Sequence, residues 1–232
     1  MPTQEQLHDP PGEAAVTQLA KDPASRRRFL TMVGGTGAAG ALSLFIAACG
    51  GDDDSGSNST STGATASKAD AAGDLKIANY ALTLEYLEAE FYKQVIAAGV
   101  IKDKEIAAIA QKFGESEQAH VDALKALITK AGGTPVAAPK TNFQAVLDGG
   151  PDKVLQTAAD VENLGAAAYL GQAGNISSPE VLAAALSIHS VEGRHAAALN
   201  TLLGKSVTPD GAFAKPAPMD MVLAAVKPFI AS

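Results

Sequence analysis

The ten residues SVEGRHAAAL (190–199) lie in a run built mostly of alanine and leucine, yet they set Glu192 and His195 one helical turn apart. Around Glu192, positions −11, −7, −4, +4, +7 and +11 are Val181, Ala185, Ile188, Ala196, Leu199 and Leu203, so the carboxylate shares the apolar stripe of its helix. The same arrangement occurs earlier in EQAHVDAL (117–124). There Glu117 and His120 share a stripe with Ile106, Ala110, Phe113, Val121, Leu124 and Ile128. Two other segments carry a second shared pattern: EYLEAEFY (85–92) and ENLGAAAY (162–169) both read Glu, Ala at +4 and Tyr at +7. Glu85 lies among Ala78, Ala81, Ala89 and Tyr92, and Glu162 among Leu155, Ala158, Ala166 and Tyr169. Glu85 to Glu117 spans 32 residues and Glu162 to Glu192 spans 30, which reads as one helical hairpin written twice. All four glutamates are predicted to point inward.

Working outward, the apolar period and its punctuation predict helices near 74–98, 103–131, 151–174 and 178–204. Gly99, the Gly132-Gly133 pair, Gly174 and Gly204 mark their ends, and Ser177-Ser178-Pro179-Glu180 is a strong start signal for the last. The first two and the last two helices are joined by short loops and form antiparallel hairpins. About 19 residues with Pro135 and Pro139 separate the hairpins. A helix of ~25 residues is ~38 Å long. An extended 19-residue segment reaches ~60 Å, so it can cross the full length of a bundle. The expected fold is therefore all-α, a four-helix bundle running up-down-down-up over 74–204, with the second and third helices parallel. Residues 205–232 form a Pro-punctuated tail with one short helix near MDMVLAAV (219–226).

Composition narrows the function. The 232 residues are 47% apolar but only 5% aromatic, and alanine-rich segments favour closely packed helices. Net charge is −7, and outside the N-terminus there is no basic cluster, which argues against nucleic acid as a partner. The single cysteine excludes a disulfide framework and any multi-cysteine zinc or iron–sulfur site.

The N-terminal third reads as an address. SRRRFL (25–30) precedes an uncharged run from Phe29 to Ala48, which ends in IAACG (46–50). The basic–apolar–small order is that of a signal segment. It resembles a twin-arginine export signal, carried by Arg26 and Arg27, followed by a lipobox. By that resemblance residues 1–48 are a removable signal peptide and Cys49 is the lipidated first residue of the mature chain. The implied location is the outer face of the cytoplasmic membrane or the cell envelope. Residues 49–73, rich in Gly, Ser and Thr, read as a flexible tether of ~25 Å root-mean-square reach. Gly35-Thr-Gly37-Ala-Ala-Gly40 has dinucleotide-loop spacing but follows no strand and opens no βαβ unit, so it carries no cofactor.

The inward glutamates decide the chemistry. A buried, uncompensated carboxylate costs several kcal/mol, and four in one core also repel one another. Two divalent cations balance the four charges, and the two imidazoles complete a six-ligand set of Glu85, Glu117, His120, Glu162, Glu192 and His195. This set resembles that of the ferritin-like di-iron carboxylate proteins, which take one Glu from each of two helices and a Glu-x-x-His from each of the other two. TLEYLEAEFY (83–92) is also similar to the first helix of ferritins and bacterioferritins. The resemblance covers about 74–204, and the exported ferritin-like domain proteins fit it best. It implies that Glu117 and Glu192 bridge two metals, with Glu85 and His120 completing one and Glu162 and His195 the other. Iron suits a mixed carboxylate–imidazole site, with manganese the alternative. Tyr92 and Tyr169 are candidates to hold the ligand carboxylates from beside the site, and Glu88 and His189, one turn from Glu85 and Glu192, are read either as extra ligands or as residues around them.

The implied activity is that of an oxidase whose metal pair reacts with O2 or peroxide, as in ferroxidases or manganese catalases. The alternative is a non-catalytic metal-binding or stress-protective bundle. With one cysteine, the chain has no four-cysteine electron-transfer module of the rubrerythrin kind. A lipid-tethered N-terminus fits a dimer better than a closed storage shell.

Overall fold

The structure is a computed structural model and describes residues 68–231. The expected export signal with Arg26 and Arg27, the expected lipobox with Cys49 and most of the expected tether lie outside the described residues. Among the described residues six α-helices follow in order: α1 (Lys68–Ala98), α2 (Lys104–Lys130), α3 (Gln144–Asp148), α4 (Gly150–Ala173), α5 (Pro179–Leu202) and α6 (Met219–Val226). A 3-10 turn, Lys227–Phe229, continues α6. Among the described residues there is no strand, only an isolated antiparallel bridge between Thr141 and Ile230. No described helix is long and apolar enough to cross a membrane.

The long helices begin and end where local chemistry dictates. Asp103 caps α2, its carboxylate accepting the Glu105 and Ile106 amides at 2.9 and 3.0 Å. At α5 the Ser178 hydroxyl accepts the Val181 amide while Pro179 fills the first turn. A second acceptor comes from α1: the buried Asp74 carboxylate takes the Ser177 and Ser178 amides at 2.9 and 2.7 Å, tying the first helix to the start of the last long one. Gly99, at φ 58°, makes the left-handed turn that reverses the chain between α1 and α2.

Pairwise contacts fix the directions. Leu75 of α1 lies against Gly133 just beyond α2, and Tyr92 lies against Gly114, so α1 and α2 are antiparallel. Tyr92 meets Glu162 and Glu85 meets Tyr169, so α1 and α4 are also antiparallel. It follows that α2 and α4 are parallel, and the bundle runs up-down-down-up as expected. The sequence duplication is thus a structural one, α1–α2 matched by α4–α5.

Two boundaries differ from expectation. The tether is expected to run to residue 73, but α1 starts at Lys68. The stretch Lys68-Ala-Asp-Ala-Ala before Gly73 consists largely of helix formers, and a single glycine does not stop a helix once it has nucleated. The crossover, read as extended, contains α3. Its flanking Phe143 and its own Val146 are buried in the core, and Gly150, at φ 79°, turns the chain directly into α4.

The C-terminal tail is also docked. The Ala217 amide donates to the Ala167 carbonyl of α4 at 2.9 Å, and Val222 and Val226 are buried. Gly171 makes this approach possible, since a Cβ there would overlap the Ala217 carbonyl. Apolar packing falls into two clusters, one around Phe91, Phe143, Val154, Leu199 and Val222 and the other around Leu82, Leu124, Ile128 and Ile188. On α2 and α5 the division between them falls at the turns that carry Glu117 and Glu192. The charged residues therefore occupy a layer across the middle of the bundle, sealed by hydrocarbon at both ends.

Candidate metal centre

All four predicted glutamates, Glu85, Glu117, Glu162 and Glu192, are fully buried, and His195 is buried with them. His120 is the most accessible member, with 12% of its side chain exposed. The six residues form two overlapping quartets. Glu85, Glu117, His120 and Glu192 make one; Glu117, Glu162, Glu192 and His195 make the other. Within each quartet one ligand-type atom from every residue lies within 4.8 Å of all the others. A first-row divalent ion binds oxygen and nitrogen at about 2.0–2.2 Å, so two opposite ligands stand ~4.2 Å apart. Each quartet needs little contraction to close on a cation. Glu117 and Glu192 belong to both.

The hydrogen-bonding pattern tests whether cations fit. Glu117 Oε1, Glu162 Oε2, both Glu192 oxygens and His195 Nδ1 are buried without a hydrogen-bond partner. Yet His195 Nδ1 stands 2.8 Å from Glu117 Oε1 and 3.3 Å from Glu162 Oε2. His120 Nδ1 is 2.8 Å from Glu117 Oε2, 3.1 Å from Glu85 Oε2 and 3.2 Å from Glu192 Oε1, and one N–H cannot serve three acceptors. Lone pairs converging at short range without hydrogen-bond direction are what a coordinating ion requires. The residues present fit a pair of metal ions.

Surrounding groups hold the ligands in place. The Tyr92 hydroxyl donates to Glu162 Oε1 at 2.5 Å and the Tyr169 hydroxyl to Glu85 Oε1 at 2.5 Å. Each tyrosine follows the glutamate of its own repeat by seven residues and braces the glutamate of the other repeat, so the two halves are cross-linked through the site. Phe113 stacks on the His195 ring at a centroid distance of 3.8 Å and fixes its plane. His189 is placed elsewhere: its Nδ1 lies 3.0 Å from the Ala166 carbonyl of α4, and it belongs to neither quartet. Glu88 is fully inside, only 2% exposed, with one oxygen unpartnered. It stands one turn after Glu85, and the sequence pattern alone does not separate an extra ligand from a peripheral residue there.

The electrostatics follow from burial. Burial raises Glu85 to about 8 and Glu192 to about 9, with neighbouring carboxylates adding to the effect. Glu162 is raised as well, also chiefly by burial. Glu117 goes the other way: burial opposes its charge, but His120 and His195, each with Nδ1 2.8 Å from one of its oxygens, outweigh that and hold it at about 2. The same contacts overcome burial at the imidazoles and lift His120 to about 12 and His195 to about 10. The cluster therefore retains protons on groups that ordinarily lose them, and an incoming cation must displace them.

An all-α bundle of two duplicated hairpins around a buried carboxylate–imidazole layer defines a class of metal-compatible helical proteins. The ferritin-like domain family matches residues 73–205, more than half of the chain, and the chain belongs to that family. Among solved structures, a hypothetical protein from Methanococcus jannaschii is similar at 15% identity and a TM-score of 0.44, over 70% of this chain and 94% of that one. Comparison with curated proteins finds no match.

Proposed function

We propose that this chain is an exported, lipid-anchored ferritin-like protein whose dinuclear metal site, of iron or manganese, reduces O2 or peroxide. The observation that carries the reading is the pair of quartets sharing Glu117 and Glu192. Held there, two redox-active cations would supply two electrons at one place, the number that reduction of peroxide requires. The protein's part is to hold and shield. Glu85 with His120, and Glu162 with His195, would each complete one metal, while Glu117 and Glu192 would face both. The tyrosine hydroxyls keep Glu85 and Glu162 oriented, and the two apolar clusters exclude bulk water from the layer. The accessible edge at His120 is the natural approach for a molecule as small as O2 or peroxide.

Metal analysis of the purified protein, with oxygen and peroxide consumption followed on the metal-loaded form, tests the reading. Two ions per chain and multiple turnovers are expected. Two ions without turnover would instead support a non-catalytic metal binder, and fewer than two with no turnover would remove the reading. The anchor has its own test. Cys49→Ala should move the protein from the membrane to the soluble fraction, and retention in the membrane would count against lipidation at that residue.

A further inference from the structure

The duplication that equates Glu85 with Glu162 also equates Glu88 with Gly165, since each stands three residues after its glutamate. α1 and α4 are antiparallel neighbours through the site, so the side chain missing from α4 lies where α1 supplies an extra carboxylate. A Cβ at position 165 would stand 2.8 Å from Glu88 Oε1 and 3.4 Å from Glu192 Oε2. Gly165 is therefore a notch, occupied by the Glu88 carboxylate and bordered by Glu192, one of the two glutamates common to both quartets.

Packing alone does not account for a carboxyl group in that notch. Glu88 is 2% exposed, its Oε2 has no hydrogen-bond partner, and among the described residues no lysine, arginine or histidine forms an ion pair with it. An apolar side chain would fill the same volume without the desolvation cost of a carboxylate. The unpartnered oxygen is instead a free ligand atom, and because Glu88 belongs to neither quartet its side chain would have to turn toward Glu192 to reach a cation.

We propose that Glu88 is a fifth carboxylate ligand of the metal pair, entering beside Glu192, so that α1 contributes a ligand where α4, with Gly165, has none. This rests on the dinuclear reading above. The two metal positions are then inequivalent, although the helices that hold them are repeats.

Titration of the metal-free full-length chain with Co(II), read by calorimetry and by the visible absorption of the bound ion, tests it. Wild type should take up two equivalents. Glu88→Gln should also take up two, one of them at least tenfold more weakly, with a changed absorption band because the coordination sphere has changed. Gly165→Ala should shift affinity in the same direction, since its Cβ competes for the notch. Metal-free Glu88→Gln should melt no lower than wild type, because an amide has no charge to bury. Wild-type affinity and spectrum for both ions in Glu88→Gln would overturn the proposal while leaving the metal site standing. An equal loss of stability with and without Co(II) would mark Glu88 as a packing residue and overturn it as well. If wild type itself binds no Co(II), the dinuclear reading fails and this inference falls with it.

Discussion

Glu192→Ala is expected to lose both metal ions and to melt on the order of 10 °C below metal-loaded wild type. Glu192 is a member of both quartets, so its removal opens both at once rather than weakening one. An ion present at a hundred times its dissociation constant stabilises the folded state by about 2.7 kcal/mol. Two such ions account for a loss of about 5 kcal/mol, and for a domain of this size 1 kcal/mol corresponds to roughly 2–4 °C.

The metal-free forms should behave differently. There the alanine leaves a cavity, but it also removes a carboxylate that burial and its neighbours Glu162 and Glu117 already disfavour. The two effects oppose, and metal-free melting should change far less. Ile188→Ala is the control: Ile188 is a buried residue one turn earlier on the same helix. Its cavity should cost about 2–5 kcal/mol with or without metal, and the variant should still hold two ions. Thermal melts of the three proteins, with and without chelator, together with metal counts, check this. Retention of two ions and wild-type melting by Glu192→Ala would sink the metal assignment.

The fold and the ligand layer were legible because they are written in period and repetition. A glutamate on an apolar stripe is costly wherever it occurs, so four in register point to one shared cause. The helix ends were readable at Gly99, Ser178 and Pro179, where a single residue's chemistry decides. What was not legible depended on contacts distant in sequence. α3 is five residues long, too short to show a period, and forms because Phe143 and Val146 find core to cover. Likewise, α1 extends back to Lys68 through residues whose composition merges into the segment before them. The cross-bracing of Tyr92 onto Glu162 and Tyr169 onto Glu85 needed the register of α1 against α4, and not only their antiparallel direction, and no local pattern supplies that register. The same pairing brings Glu88 to Gly165. Their equivalence was present in EYLEAEFY and ENLGAAAY, but its consequence appears only when the two helices face each other.

Metal binding should strengthen with pH, and the stability gained from metal should widen between about pH 5 and pH 9. The sign follows from which species carries the compensating charge. In the metal-free protein protons do so: Glu85 and Glu192 titrate at about 8 and 9, and the imidazoles of His195 and His120 at about 10 and 12. A group raised on folding contributes stability below its unfolded value and loses it as pH rises through its folded one. The two glutamates therefore stabilise the metal-free fold in acid and cease to do so between about pH 4.5 and 9, and the histidines follow at higher pH. Glu117, lowered to about 2, contributes in the opposite sense and is lost only in strong acid. A cation needs the same atoms deprotonated, so each proton it displaces makes the apparent affinity tenfold greater per pH unit, about 1.4 kcal/mol. Metal-free protein should thus lose melting temperature as pH rises from 5 to 9 while the metal-loaded form holds its own, and the gap between them should grow. Addition of Mn(II) to metal-free protein in weak buffer should release protons, more than one per ion near pH 7. A melting gap independent of pH, with no proton release, would mean that the buried carboxylates and imidazoles are not the groups that bind the ion.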